Sequence, residues 1–192
     1  MGFVLLIILA VIVLWAIAAY NGLIALKNQV VNAWKQIDVQ LKRRHDLIPN
    51  LVNAVKGAME HERGTLEAVI AARNRAVNAH GVAETARAEG ELTQALGRLF
   101  ALAEAYPQIK ATANIGELQE ELSSTENKIA FARQLYNDVA TQYNTKQAQF
   151  PTSLVAGLAK ASPADLWMIE DERERAVPTV DLSAPRSSGP VA

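Results

Sequence analysis

Residues 3–26 read FVLLIILAVIVLWAIAAYNGLIAL, and this stretch decides what kind of fold follows. Phe3 to Ala19 holds no polar residue, and no charge occurs between Gly2 and Leu26. As a helix rising about 1.5 Å per residue, the run reaches about 36 Å. A hydrocarbon core is about 30 Å thick, so the run predicts a single transmembrane helix with some tilt. Tyr20 falls where a headgroup-level aromatic is expected, whereas Trp15 is too central for that role. Other readings of the run meet obstacles. A cleaved signal peptide finds a small-x-small site in Ala16-Ile17-Ala18, but Met1-Gly2 supplies no basic n-region. Myristoylation at Gly2 needs Ser or Thr at position 6, where this chain has Leu6. A buried core helix is disfavoured by the length and by the lack of charge.

Cations gather on one flank. Lys27, Lys35, Lys42, Arg43 and Arg44 follow the run, and nothing basic but the α-amino group precedes it. Lys/Arg excess close to a span marks the cytoplasmic side, so the N-terminus is expected outside and the domain inside. Tyr20, Lys27 and Lys35 are the expected interface residues. Residues 27–46 carry a net +3, enough for modest attraction to anionic lipid at about 1 kcal/mol per base near the surface.

Beyond Lys27 the apolar residues recur at helical spacing. Val30, Trp34, Ile37 and Leu41 form one stripe and continue the membrane helix into water. At Pro49 one reading is a kinked but continuous helix; Arg43-Arg44-His45 suits a last turn, so a break at about 45–47 is the preferred expectation. A second helix is then predicted over about 47–79, closed by His80-Gly81. Its stripe includes Leu51/Val52, Val55, Met59, Leu66, Val69/Ile70 and Val77. A third covers about 83–105 with Leu92, Leu96, Leu99, Phe100 and Leu102, and ends at Tyr106-Pro107. The fourth is the clearest, running from Ile115 through Leu118, Leu122, Thr125, Ile129, Ala132, Tyr136, Val139 and Tyr143 to Phe150. The first and third helices are thus expected short and the second and fourth long. Short connections imply antiparallel neighbours. The predicted fold is all-α: a single N-terminal transmembrane helix followed by an antiparallel four-helix bundle.

Four parts follow: 1–26 as anchor, 27–150 as bundle, 151–177 as an extension, and 178–192 as a Pro/Ser-rich tail expected to be disordered. In the extension, Pro163-Ala164-Asp165 is a candidate start for a short helix through Arg175.

The composition excludes several kinds of chemistry. A net charge of −1 gives no basic face for nucleic acid. The absence of cysteine removes disulfides, thiolate catalysis and Cys-based metal sites. His45, His61 and His80 have no i, i+4 pairing and no Glu-x-x-His partner, which argues against zinc and di-iron sites. No phosphate-binding glycine loop and no nucleophile-elbow motif occurs. The expectation is therefore a protein without enzymatic activity, metal or cofactor.

Two polar features interrupt the helical pattern. Arg44 and Glu62 fall on core positions between Leu41 and Ile48 and between Met59 and Leu66. One reading makes them a polar core layer that sets register or receives a partner. The blander one puts Arg44 in water at a helix end and pairs Glu62 with a nearby Arg. Asparagine is also frequent, Asn50, Asn74, Asn137 and Asn144 among others. These amides either cover solvated helix surface or bond between segments.

Several phrases together resemble the LemA family. They include Tyr20-Asn21, then Ala33-Trp34-Lys35-Gln36-Ile37-Asp38, and Asp46-Leu47-Ile48-Pro49-Asn50-Leu51-Val52. Thr125-Glu126-Asn127-Lys128-Ile129-Ala130, Tyr136-Asn137, Tyr143-Asn144 and Phe150-Pro151 follow. The likeness runs from about residue 20 to Leu182. It implies a single-pass protein of the bacterial inner membrane with a small outer N-terminus and a four-helix domain. It supplies no catalytic residues. One departure is that Ala159-Lys160-Ala161-Ser162-Pro163 lacks aromatics where the family has an aromatic, basic stretch.

Two functions follow as expectations. The first is an interaction or scaffold module at the inner face of the membrane, partnered by the bilayer and by itself or another membrane protein. The alternative is a membrane-tethered sensor holding a small ligand or ion within the bundle.

Overall fold

The computed structural model describes residues 1–57, 59, 62–106 and 113–168. Four long helices and one short one occur among them: α1 (Gly2–Lys56), α2 (Arg63–Asn78), α3 (Val82–Ala103), α4 (Ala113–Ala148) and α5 (Ser153–Ala156). No strand occurs among the described residues. Successive long helices run antiparallel, and α4 returns along the whole packed length of α1.

Helix α1 has 55 residues and so spans about 80 Å. Its first part is apolar on every face and lies outside any protein core, long and apolar enough to cross a membrane. From Leu23 onward only one stripe is buried: Leu23, Val30, Ala33, Ile37, Leu41, then Ile48, Leu51, Val52 and Val55. The apolar run and the first bundle helix are thus one rod.

The break expected at 45–47 is absent, since α1 runs through Pro49 to Lys56. Proline removes the N–H that would bond the carbonyl four residues back, here that of His45. The structure supplies a substitute from another helix: Arg73 Nε donates to the His45 carbonyl at 2.8 Å. The chain reverses instead after Gly57, so α1 is long and α2 has only 16 residues, the opposite of the expected pattern. Fully buried Met59 plugs the reversal. This arrangement predicts coupling between two distant positions. Arg73→Met should cost about 1–3 kcal/mol by orphaning a part-buried carbonyl. In a Pro49→Ala background the cost should shrink, because residue 49 regains its amide donor. A double-mutant cycle by chemical denaturation reads this coupling; equal costs in both backgrounds would refute it.

The buried side chains fall into two groups. In the distal group α1 past Ile48, α2, α3 and the start of α4 meet around Met59, Val69, Leu92 and Leu99. In the proximal group α1 and α4 pair through Ile37, Leu41, Ile129, Tyr136, Ala140 and Tyr143. Trp34, expected in the core stripe, stands at its edge. Its ring meets Tyr136 edge-on at 5.5 Å and Trp167 at 6.0 Å.

The C-terminal segment closes the proximal group. Where a helix was expected from Pro163, residues 161–168 form no helix or strand. Two asparagines two helical turns apart on α4 hold its backbone. Asn144 donates to the Ala164 carbonyl and accepts from its N–H, both at 2.8 Å. Asn137 does the same for Trp167, at 3.0 and 2.8 Å. Backbone bonded to those amides cannot also make helical bonds, which is why this segment forms no helix. Trp167, 4% exposed, seats its ring against Trp34 and under the Arg133 guanidinium. The expected helix beyond residue 168 and the tail from Pro178 lie outside the described residues.

The Tyr136 hydroxyl donates to the Asp165 carbonyl at 2.7 Å. Burial, and secondarily the Asp165 charge, raise its pKa above the ordinary 10.0. A raised folded-state pKa gives stability that is complete below the unfolded value and lost as pH climbs through the folded one. Docking of the 161–168 segment should therefore hold below about pH 10 and fail above it, read as Trp167 fluorescence. Tyr136→Phe should remove that alkaline step; an unchanged step would assign it elsewhere.

Candidate functional site: a buried polar layer

Between the two apolar groups the α1 stripe turns polar for one step, at Arg44 and His45, both under 10% exposed. Facing them is Glu89 of α3, 4% exposed. Its two carboxylate oxygens are divided between the neighbours. Oε2 accepts from Arg44 Nη1 at 3.1 Å, and Oε1 meets His45 Nε2 at 2.5 Å. A carboxylate only accepts, so Nε2 carries the hydrogen. Arg44 Nη2 donates to Thr93 Oγ1 at 2.8 Å, and Thr93 in turn donates to the Glu89 carbonyl at 3.0 Å. Glu126 of α4 reaches Arg44 Nη1 at 3.1 Å while staying 42% exposed. One layer thus joins α1, α3 and α4, and the Arg73 bond to the His45 carbonyl brings in α2.

Removing charges from water is costly, and such a group is tolerated only when each member is paired. Its geometry fixes how far each helix slides along its neighbours. Two grooves border it. One, about 480 Å³, is lined by Trp34, Asp38, His45, Arg73, His80 and Thr85 among others. The other, about 380 Å³, lies against Arg44, Thr93, Phe100 and Glu126.

The residues singled out from sequence land in different places. Arg44 is in the layer, not in water at a helix end, because α1 continues past it. Glu62 is elsewhere: it precedes α2, half-buried, and its Oε1 accepts from the Tyr106 hydroxyl at 3.3 Å. Arg44 and Glu62 therefore have separate partners. Burial, then the Glu62 charge and hydrogen bond, raise the Tyr106 pKa. Tyr20 and Lys27 are exposed on α1 near the end of the apolar run. Lys35 is about 12 Å further along the axis and lines a groove with Val39, Phe131 and Leu135. Sequence reading missed Glu89. Extending the Leu92, Leu96, Leu99 stripe back by one turn lands on it, with Thr85 one turn further.

A family model described as the LemA family matches residues 33–182, which take in α1 from Ala33 onward, helices α2 to α5 and the polar layer. The chain belongs to the LemA family. A protein named LemA from Metamycoplasma hominis is 28% identical over 138 residues, covering 71% of this chain and 63% of that relative. Two proteins named magnetosome proteins MamQ 1 and MamQ 2, from Paramagnetospirillum magneticum, are each 24% identical over 163 residues, covering 60% of their own length. This LemA-family chain thus spans about three fifths of the curated relatives it matches. Arg44, His45, Glu89, Thr93 and Glu126 all lie inside the matched region.

Proposed function

We propose that this LemA-family protein is a single-pass membrane protein whose bundle stands at the cytoplasmic face as an interaction module and self-associates there. The observation that carries this reading is an unpartnered apolar face on the α1–α4 pair. Phe131 is 75% exposed, Val39 63% and Leu135 43%, and together with Ala132, Lys35 and Lys128 they line one groove. Large apolar side chains gathered on one surface mark a contact site more often than chance exposure. The anchor supplies the argument for a second copy as occupant. Because α1 is one continuous rod, every copy holds this face at the same height above the bilayer, the condition for a self-complementary two-fold contact. The Lys-rich flank of the span supports the inward orientation.

The natural absence of cysteine makes the test clean. A single Phe131→Cys protein in native membranes should yield a covalent dimer on mild oxidation, whereas Val77→Cys, on α2, should not. Phe131→Ser should lower oligomer mass in detergent. A strictly monomeric protein with no cross-link at residue 131 would refute self-association. The groove beside the polar layer, bordered by Trp34, His45, Arg73 and His80, favours a second reading as a membrane-tethered sensor for a small polar ligand. A metabolite or ion that raises the melting temperature of the wild-type protein but not of Arg73→Met would support it.

A further inference from the structure

Three large apolar side chains project from the segment that follows α4. Phe150 is 80% exposed, Leu154 68% and Leu158 78%. The backbone bonds Ala156 N–H to Thr152 and Ala159 N–H to Val155, so helical turns place Leu154 and Leu158, four apart, on one side, and Phe150 stands exposed just before them, ahead of the cis Phe150–Pro151 bond. Thr152, Val155 and Ala159 are buried on the other. The segment ends in a Schellman-type cap: Lys160 is left-handed at φ 46, and Ala161 N–H bonds the Ala156 carbonyl.

The height of this face follows from helix register. Helix α4 descends along α1: Trp34 meets Tyr136 edge-on, and ten residues up α1 Arg44 pairs with Glu126, ten residues back along α4. Phe150, fourteen residues past Tyr136, therefore stands at about the level of Tyr20 on α1. The coverage of α1 agrees. Leu23 is 1% exposed, and Ile24 and Leu26 pack against the same buried group, so protein packing reaches the last residues of the apolar run. A hydrocarbon core starting at Phe3 takes about 20 residues of helix and ends near Gly22, at this same level.

We infer that Phe150, Leu154 and Leu158 form a second membrane contact, a wedge seated at the headgroup–acyl boundary of the same bilayer leaflet from which α1 emerges. This rests on the reading of α1 as a span. The occupant is lipid because α5 packs on α1 where the apolar run ends, Ala156 and Ala159 sharing one buried group with Leu23, Ile24 and Leu26. The chemistry is that of an interfacial helix, with an apolar face down and the exposed Lys160 beside it for anionic headgroups. Two attachment points, unlike one, stop the bundle from rotating about α1, so the Val39 and Phe131 face points in a set direction.

The test uses full-length single-cysteine proteins, Leu158→Cys with Val77→Cys and Leu9→Cys as references, each carrying a fluorophore. Each is placed in nanodiscs of mixed zwitterionic and anionic phospholipid. Lipid bearing a nitroxide near the headgroup end of the acyl chain should quench the Leu158 label several-fold more than the Val77 label, and aqueous iodide several-fold less. Equal behaviour at Leu158 and Val77 would overturn the inference. Shielding of Leu158 from iodide without quenching by the lipid nitroxide would mean a protein contact, and would also overturn it. A Leu9 label untouched by lipid quencher would instead remove the span itself, a failure distinguishable from the first.

Discussion

Replacing Glu89 by Leu should destabilise the bundle by about 3–5 kcal/mol, the largest effect expected of any single substitution at the polar layer. The cost comes from what is left behind, not from what is removed. Arg44, its side chain 5% exposed, loses the one buried anion it has among the described residues and keeps the half-exposed Glu126. His45 loses the oxygen at 2.5 Å. An uncompensated buried cation is worse than no charge at all, so the companion experiment has the opposite sign. Arg44→Met with Glu89→Leu and His45→Phe should recover most of the loss, as apolar replacements of buried ionic groups commonly do. Chemical denaturation followed by far-UV circular dichroism reads both. A loss below about 0.5 kcal/mol for Glu89→Leu would mean that the layer is solvated, contrary to its burial. If the triple variant is stable but fails to cross-link through Phe131→Cys, the layer's role is to set register rather than to stabilise.

Trp167→Ala should release the C-terminal segment from α4. Truncating a buried Trp costs about 3–5 kcal/mol when the rest of the site stays put. Here the measured global loss should fall short of that, because residues 161–168 can leave as a unit and the cost cannot exceed the free energy of docking them. The sharper reading is local. The N–H groups of Ala164 and Trp167, held by Asn144 and Asn137, should lose hydrogen-exchange protection together. The α1–α4 amides below them should keep theirs. Asn144→Ala should give a smaller version of the same pattern, since each bond contributes only about 1 kcal/mol net. Continued protection at Ala164 in Trp167→Ala would show that the two asparagines alone suffice. Because the segment leads toward α5, its release should also loosen the Phe150, Leu154 and Leu158 face.

The amino-acid sequence by itself determined that the chain is helical and which residues form most of the apolar faces, though not where α1 ends and α2 begins. The uninterrupted run from Phe3 to Ala19 and the three-four spacing from Val30 to Tyr143 are local patterns, and hydrophobic burial acts on them wherever the chain ends up. It likewise placed Arg44 on the core line, since position on a helical stripe needs no knowledge of the partner. Three things only the tertiary structure decided. Helix α1 continues through Pro49 because a donor arrives from Arg73, on another helix. Arg44 pairs with Glu89 rather than lying with Glu62, because partner choice depends on how far α3 slides along α1, and that slide is set by packing of the whole bundle. Residues 161–168 form no helix because asparagine amides on α4 claim backbone groups of Ala164 and Trp167 before a helix can. Each of these rests on a bond between residues far apart in sequence, whose existence depends on interhelical register, and local periodicity carries no information about that register.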